Sequence, residues 1–280
     1  MFKIDTLKNI RSEEIVETFN AAFSDYFFSM KFTKEQFEHK LFVEGGRLDL
    51  SVGTFENDKL IAFILHFADK KSVVYNGGTG VVPDFRGNQL TSKMYEFIKP
   101  KLVANKINKM VLEVLTQNSA AIKTYQNQGF KITRELNCFK GKLKLTKAEF
   151  SSKNYEIVEL KEYNWDLLQT FWDNSPTWQN SIQTVNNLKD QNTAFGIIAE
   201  NKTRGYIIYN PNTKRIHQLC VDKDFRNKGL GQYLLEVVSK IDSEISIINV
   251  DSRDKALVKF LQKNGLINYT SQYEMELELN

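Results

Sequence analysis

Two copies of one strand–turn–helix pattern lie 140 positions apart in this chain of 280 residues, and they restrict its possible folds more than any other feature. In the later copy an apolar run ends at Val221, and a turn at Arg226–Gly231 follows. Apolar residues then recur at helical spacing, at Leu230, Leu234, Val238 and Ile241. The earlier copy ends its apolar run at Val81, turns at 86–91, and continues with Leu90, Met94, Ile98 and Leu102. The repeat predicts two similar structural units.

Each turn lies where a strand passes into the amino end of a helix. Free backbone N–H groups and the positive end of the helix dipole converge at such a point. Gly229 and Gly231 carry no side chain, so a phosphate can approach the backbone closely. The pattern therefore predicts an anion-binding site.

The length and composition agree with two globular domains. A chain of 280 residues is long enough for two domains of about 140 residues, each with its own core. Apolar residues make up 41% of the chain and charged residues 26%, which is typical of globular proteins. The lysine-rich, polar stretch Lys140–Asn154 is the best boundary. We predict domains at 1–145 and 153–280.

Charge and residue counts argue against several classes of function. The net charge is +4 and the charges are interleaved, so a nucleic-acid partner is not expected. Two cysteines and three scattered histidines predict neither a disulfide framework nor a metal site. No apolar run reaches membrane-spanning length and the amino terminus lacks a signal-peptide core, which favours a cytoplasmic protein without a membrane partner.

The predicted order of elements is nearly the same in both halves: two helices, three strands, a helix after the turn, a strand, a short helix and closing strands. The second half has one further predicted strand, Tyr155–Leu160, before its helices. In the first half, Ile15, Phe19, Phe23 and Phe27 form the apolar face of the first helix, and Thr33 caps the second. The pattern predicts an α/β (α+β) fold with helices flanking a central sheet.

This order, with an Arg-x-x-Gly-x-Gly turn and a short helix that ends at Gly129-Phe130 or Gly265-Leu266, resembles the GNAT superfamily of acyl-CoA-dependent N-acyltransferases. The resemblance covers nearly the whole chain. It implies two GNAT-like domains, each with a mixed, mostly antiparallel sheet and a splayed pair of parallel strands at the acyl-CoA site.

By this resemblance, the backbone N–H groups of each turn hold the pyrophosphate of acetyl-CoA, and pantetheine lies along the preceding strand. The implied cofactor-binding residues in the first domain are Thr79, Val81, Arg86, Gly87, Asn88, Gln89, Leu90 and Thr91. Those in the second are Leu219, Val221, Arg226, Asn227, Lys228, Gly229, Leu230 and Gly231. Gln89 lies where the motif has glycine, and we expect its backbone N–H to take part in binding the pyrophosphate if its φ is negative.

The resemblance also implies catalytic residues in the first domain. In many GNAT enzymes a tyrosine on the helix after the fifth strand protonates the leaving thiolate, and an asparagine begins that helix. Tyr125 and Asn118 match this pattern, and their spacing of seven residues places them on one helix face. Glu113 on the preceding strand is the candidate general base or water-positioning residue.

The second domain does not carry this set. Aligning Gly129 with Gly265, 136 positions later, places Leu261 at Tyr125, Asp254 at Asn118 and Asn249 at Glu113. The first domain thus has the catalytic groups, but its turn departs from the glycine motif. The second domain has a turn that matches the motif, but it lacks the tyrosine acid.

The sequence therefore predicts an acetyl-CoA-dependent N-acetyltransferase that acts on a primary amine of a small molecule or peptide, uses no metal, and has its active site in the first domain. One alternative places catalysis in the second domain, through water or an acid such as Tyr273. The other is a non-catalytic acyl-CoA-binding sensor or scaffold. Nothing in the sequence identifies the acceptor or an oligomeric state.

Overall fold

The chain divides into two compact units in the computed structural model, which describes residues 2–70, 72–145 and 155–279. The first unit contains Met1–Thr133 and Tyr273–Asn280, and the second contains Arg134–Gln272. Most of the predicted boundary, residues 146–154, lies outside the described residues. The predicted domains, 1–145 and 153–280, describe the two duplicated sequence segments and stay a prediction. The compact units divide the chain differently, because residues 134–145 belong to the second unit and residues 273–280 to the first.

The elements follow the predicted order, with one short strand added at the start. The first half of the chain contains β1 (Lys3–Thr6), α1 (Ser12–Ala22), α2 (Lys34–Glu44), β2 (Val52–Glu56), β3 (Lys59–Lys70), β4 (Val73–Val81), α3 (Leu90–Ala104), β5 (Lys109–Leu115), α4 (Ser119–Asn127) and β6 (Lys131–Lys142). The second half contains β7 (Glu156–Glu159), α5 (Trp165–Leu168), α6 (Ile182–Asn187), β8 (Thr193–Ala199), β9 (Lys202–Asn210), β10 (Arg215–Val221), α7 (Leu230–Ser239), β11 (Glu244–Asp251), α8 (Lys255–Lys263) and β12 (Ile267–Glu278).

Among the strand pairings that the structure describes, each unit has one parallel pair and the others are antiparallel. In the first unit the strands follow the order β1-β2-β3-β4-β5, and only β4 and β5 are parallel. In the second unit the order is β6-β11-β10-β9-β8-β7, and only β10 and β11 are parallel. The predicted mixed α/β architecture is confirmed.

The closing strands are exchanged between the units. The end of β12 lies beside β5 in the first unit, where the Leu279 N–H donates to the Asn108 carbonyl at 2.7 Å and Lys109 pairs with Glu276 at 2.8 Å. β6 instead pairs with β11 of the second unit, with Leu136 opposite Asp251. Because β6 and β12 occupy equivalent places in the repeat, 136 positions apart, each unit is completed by the other half of the chain.

The predicted apolar helix faces form the cores. Leu90, Met94, Ile98 and Leu102 on α3 are at most 2% exposed, and Leu230, Leu234 and Val238 on α7 at most 1%. Full burial of a side chain of this kind stabilises a fold by roughly 1.5–3 kcal/mol. Three predicted face residues are not in the core, and one of them, Phe23, is the half-buried residue that follows α1. Phe27 lies beyond the end of α1 and Ile241 beyond the end of α7, and both side chains are exposed.

Two helix beginnings are fixed by side chains. Thr33 and Gln36 form a reciprocal capping box at the start of α2, as predicted for Thr33. Asn118 caps α4 by accepting a hydrogen bond from the Ala121 N–H at 3.1 Å. Within the described residues, no helix has the length and apolar character needed to cross a membrane.

Candidate active site

The parallel strands of the first unit separate halfway along their length. β4 pairs with β5 only from Val73 to Asn76. The register of β4 against β3 shifts between Asn76 and Gly78, which identifies Gly77 as a β-bulge. The rest of β4, with Thr79 and Val81, has no partner strand on the side of β5 among the described residues. This separation is the splay that the resemblance implied, and Thr79 and Val81 lie on its edge.

The turn after β4 follows an unusual backbone path. Gly87 and Gln89 both have left-handed conformations, with φ of 81° and 57°. The expectation of a negative φ at Gln89 is therefore wrong. A left-handed conformation is the one that glycine adopts without steric cost, so Gln89 keeps the path of the glycine motif despite its side chain.

The turn of the second unit repeats this path. Asn227 has φ of 61° and Gly229 has φ of 86°, at the positions of Gly87 and Gln89. In both turns the next residue begins a helix, Leu90 in α3 and Leu230 in α7. The first N–H groups of a helix have no acceptor within it, so both turns present donors suited to a phosphate.

The arginines of the two turns are bound to protein acceptors. The Arg86 guanidinium donates to both carboxylate oxygens of Asp25, at 2.6 and 2.8 Å, and to the carbonyls of Ala22 and Val81. Arg226 donates in the same way, to Asp173 at 2.6 Å and to the carbonyls of Phe171 and Val221. Each arginine thus ties the turn to the segment after the first helix. These hydrogen bonds use four of the five guanidinium N–H groups of Arg86 and three of those of Arg226, so most of the donor capacity of each arginine is already spent within the protein.

Tyr125 lies at the splay of the first unit. Its hydroxyl is hydrogen-bonded to Thr79, and its ring packs edge-on against Phe130. Burial raises the pKa of Tyr125 to about 12, although the Thr79 hydroxyl opposes this shift. The phenol therefore holds its proton at neutral pH, as a general acid must.

Thr79 belongs to a buried hydrogen-bond network. The side-chain nitrogen of Asn76 donates to the Thr79 hydroxyl and to the Tyr95 hydroxyl, both at 2.8 Å. The Gly78 N–H donates to the Asn76 side-chain oxygen at 3.1 Å, which fixes the orientation of the amide. Because Thr79 accepts from Asn76, its own hydrogen is available for the Tyr125 oxygen. Sequence reasoning missed this role of Asn76, since no spacing rule links it to Tyr125.

The other predicted catalytic residues are Asn118, at the start of α4, and Glu113, on β5. The Asn118 side chain hydrogen-bonds the hydroxyl of Tyr26, whose pKa is raised by burial. Tyr26 follows α1, and a Coulombic interaction links it to Tyr125. Glu113 is half-buried on β5, one residue beyond the last paired position Leu112. The structure thus brings Tyr125, Thr79, Asn118 and Tyr26 together around the splay.

The second unit has a different set at the equivalent places. α8 lies 136 positions after α4, and Asp254 caps it by accepting from the Leu257 N–H at 2.9 Å. Leu261, at the position of Tyr125, is fully buried. Tyr273, the alternative acid for this half of the chain, belongs to the first unit and packs against its core. That assignment is therefore wrong, and the described part of the second unit has no tyrosine in the place of Tyr125.

A cavity of about 510 Å³ occupies the splay of the second unit. β10 pairs in parallel with β11 only at Arg215 and Ile216, and the cavity follows the remainder of β10 from His217 to Val221. Its wall includes most of the predicted cofactor-binding residues of this half: Leu219, Val221, Arg226, Asn227, Gly229, Leu230 and Gly231. Lys228 is not among the lining residues. It donates to the Asp224 carbonyl at 2.9 Å.

The thiol of Cys220 in the cavity wall holds its proton at neutral pH and is therefore a weak nucleophile. Cys220 lines the cavity, and burial raises the pKa of its thiol to about 12. The described residues contain no cluster of three or more histidine, cysteine or carboxylate side chains that could hold a metal ion.

Comparisons with known proteins agree with this geometry. Residues 8–130 match the sequence model of the Acetyltransferase (GNAT) family, and residues 159–276 match that of an Acetyltransferase (GNAT) domain. Among solved structures, a GCN5-related N-acetyltransferase from Sphaerobacter thermophilus is similar over 100% of this chain and 96% of its own, with a TM-score of 0.74 and 13% identity.

Two further structures show the same likeness in fold. A tandem GNAT protein from the clavulanic acid biosynthesis pathway is similar over 100% of this chain and 99% of its own, with a TM-score of 0.73 and 9% identity. A putative acetyltransferase from Pyrococcus horikoshii covers 100% of this chain and 90% of its own, with a TM-score of 0.69 and 13% identity.

Proposed function

Because the chain belongs to the GNAT acetyltransferase family and contains two GNAT domains, we propose that it transfers an acetyl group from acetyl-CoA to a primary amine. The first unit is the catalytic one in this proposal. Acetyl-CoA supplies an activated acyl group as its thioester. The observation that carries the proposal is the place of Tyr125 at the splay of β4 and β5, where its hydroxyl interacts with Thr79 and burial raises its pKa to about 12.

The residues of the first unit have the following proposed roles. Tyr125 donates its proton to the departing thiolate, whose pKa in solution is about 8.5 for a typical thiol. Backbone N–H groups near Val81 hold the thioester oxygen. The amides from Gly87 to Thr91, at the amino end of α3, hold the diphosphate. Asn118 orients the site from the start of α4, and Glu113 positions a water molecule or accepts the proton of the amine.

The second unit binds CoA in the same way in this proposal and does not catalyse the transfer. Its 510 Å³ cavity runs along β10 to the turn at Asn227–Gly231, which suits an extended pantetheine chain with its diphosphate at the turn. Leu261 leaves this unit without the tyrosine acid. The predicted cytoplasmic location stays a prediction.

Steady-state acetyl transfer to a panel of amines and peptides tests the proposal. We expect Tyr125→Phe to lower kcat strongly while CoA binding is retained, because the variant loses the acidic hydroxyl and keeps the ring. Tyr273→Phe is the matched control and should leave kcat unchanged. Normal turnover in Tyr125→Phe would remove Tyr125 from the mechanism. CoA binding without turnover on any amine would favour the sensor instead.

A further inference from the structure

The turn arginine of the first unit joins three parts of the structure. Arg86 Nε donates to the carbonyl of Val81, the last residue of β4, at 3.3 Å. Its Nη1 donates to one carboxylate oxygen of Asp25 at 2.6 Å, and its Nη2 donates to the other at 2.8 Å. Nη2 also donates to the carbonyl of Ala22, the last residue of α1, at 3.0 Å. Arg86 therefore connects the end of β4 to the segment that follows α1.

The turn arginine of the second unit makes the same contacts with the same atoms. Arg226 Nε donates to the carbonyl of Val221, the last residue of β10, at 3.2 Å. Its Nη1 donates to Asp173 at 2.6 Å, and its Nη2 donates to the carbonyl of Phe171 at 2.8 Å. The carboxylate lies 61 positions before the arginine in the first half and 53 positions before it in the second. The contact is thus present in both halves although the chain between its ends differs in length.

These contacts are better suited to fixing a position than to stabilising the fold. The side chains of Arg86 and Asp25 are 45% and 57% exposed, and an exposed ion pair contributes little to stability because water screens it. The hydrogen bond from Arg86 lowers the pKa of Asp25, so the pair is charged at neutral pH. The guanidinium is planar and its donors have fixed directions, which orients the groups that it connects.

The segment that each arginine holds belongs to the wall of the site. In the second unit, residues 171–176 line the 510 Å³ cavity together with β10 and the turn. In the first unit the corresponding segment contains Tyr26, whose hydroxyl interacts with Asn118 at the start of α4. The Tyr26 ring packs against Phe23 and Phe27, at centroid distances of 5.0 and 5.3 Å. Since CoA is proposed to lie along β4 and its turn, this segment is the wall available to the acceptor amine.

The segment of the first unit is held at both ends. Asp25, near its start, is bound to Arg86. Phe32, near its other end, is bound to Asn20, because the Asn20 side chain donates to the Phe32 carbonyl and accepts from the Phe32 N–H, both at 2.9 Å. Tyr26 directly follows Asp25 in the chain, so its position depends on the first of these two attachments.

We propose that Arg86 and Asp25 are positioning residues for the acceptor amine, which act by holding Tyr26 and its segment in the wall of the site. Arg86 is then not a ligand of the pyrophosphate, which the amides of the turn hold. This inference rests on the proposed acetyl transfer in the first unit. Loss of the pair should therefore raise KM for the amine and leave the affinity for CoA unchanged.

The main test is the double variant Asp25→Asn/Arg86→Met, which removes the pair without changing the local net charge. Acetyl transfer is measured with the best acceptor among butylamine, phenylethylamine and a short peptide with a free amino terminus. KM for that amine should rise roughly tenfold, because the segment loses its hydrogen bonds to the guanidinium. The change in kcat should be smaller. The dissociation constant of CoA, measured by calorimetry, should stay the same.

Single variants separate the two roles that Arg86 could have. Asp25→Asn leaves a charged Arg86 without its partner and should raise KM for the amine, whereas Asp25→Glu keeps a carboxylate and should restore most of the loss. A phosphate-binding arginine predicts instead an unchanged KM for the amine in Asp25→Asn. Asp84→Asn is the matched control, because Asp84 is an exposed residue beside the same turn. This variant should change neither constant.

Amide hydrogen exchange, followed by NMR, provides a readout that does not depend on turnover. The Tyr26 N–H donates to the Phe23 carbonyl at 3.2 Å, and its exchange should become faster in the double variant. The Phe32 N–H, which is bound to Asn20, is the internal control and should change little.

The outcomes separate this inference from the proposed function. Weaker CoA binding in the double variant with an unchanged KM for the amine would overturn the positioning role. Unchanged exchange of the Tyr26 N–H, in a variant whose fold circular dichroism confirms, would also overturn it. If the unchanged protein acetylates none of the amines, the proposed function fails, and the exchange rates alone decide whether Arg86 holds the segment.

Discussion

Replacing Thr79 by valine tests how the first unit stabilises Tyr125, the proposed general acid. Valine keeps the shape of the side chain and removes the hydroxyl. In the structure Thr79 accepts from Asn76 at 2.8 Å, which leaves its own hydrogen for the Tyr125 oxygen. When Tyr125 gives up its proton, this hydrogen bond acts on a phenolate and becomes charge-assisted.

The size of the effect follows from that single bond. A hydrogen bond to a charged group is worth about 1.5–3 kcal/mol. Loss of this stabilisation at the proton-transfer step predicts a fall in kcat of roughly 10- to 150-fold. KM should change little, because the bond strengthens only as charge develops on Tyr125. The pKa of Tyr125 should also rise further above its value of about 12.

Stopped-flow and steady-state measurements of CoA release would check this prediction, with Thr79→Ser as the matched control. Serine keeps the hydroxyl and should retain most of the activity. The reasoning is refuted if Thr79→Val has normal kcat, or if the serine and valine variants lose activity equally while both remain folded.

Three other predictions concern the turns, the histidines and the tyrosine. Gln89→Gly should stabilise the protein by about 1 kcal/mol, because it removes a non-glycine residue with a left-handed backbone conformation, and Gly229→Gln should destabilise it by a similar amount. Melting temperatures that do not shift in opposite directions would contradict this. Burial lowers the pKa of His66 to about 4 from an unfolded value of 6.5. The free energy of unfolding is therefore unaffected by this residue above pH 6.5, and it falls by about 3 kcal/mol as the pH is lowered to 4. NMR titration should find His66 neutral at pH 5.5, and a pKa near 6.5 would show the burial argument to be wrong. Because the pKa of Tyr125 is about 12, kcat should show no alkaline loss from its ionisation below about pH 11, and a basic limb near pH 9 that disappears in Tyr125→Phe would refute this.

Local features of the site could be predicted from the sequence. The helical spacing of Leu90, Met94 and Ile98 is a short-range pattern, and all three side chains are buried as that pattern requires. The relation of Asn118 to Tyr125 is also a short-range pattern. The structure places Asn118 at the N-cap of α4 and Tyr125 within that helix.

Features that depend on distant contacts could not be predicted. Arg86 binds Asp25, 61 residues earlier in the chain, so the sequence near the turn carries no sign of its partner. The left-handed φ of Gln89 contradicts local preference and is imposed by the turn between β4 and α3. The bulge at His217 likewise results from the pairing of β10 with β9. The alternation of apolar and polar residues along one strand does not reveal such a shift in register.

The exchange of closing strands has a related cause. β6 and β12 are equivalent strands of the repeat, so the pairing of either one satisfies the same hydrogen-bonding pattern. The sequence therefore predicts that the strands exist but not which half of the chain each one completes.

Calorimetric titration of CoA tests the central claim, that each half of the chain holds the diphosphate at its strand–turn–helix turn. Asn88→Glu and Lys228→Glu probe exposed, equivalent positions of the two turns, and they change the local charge by one and by two units respectively. Added negative charge at a turn should weaken the binding there by about 1–3 kcal/mol, or roughly 5- to 150-fold. We expect heat of binding with CoA and a separate loss in each variant. The claim is contradicted if natively folded protein gives no heat with CoA or acetyl-CoA, or if neither variant changes the affinity.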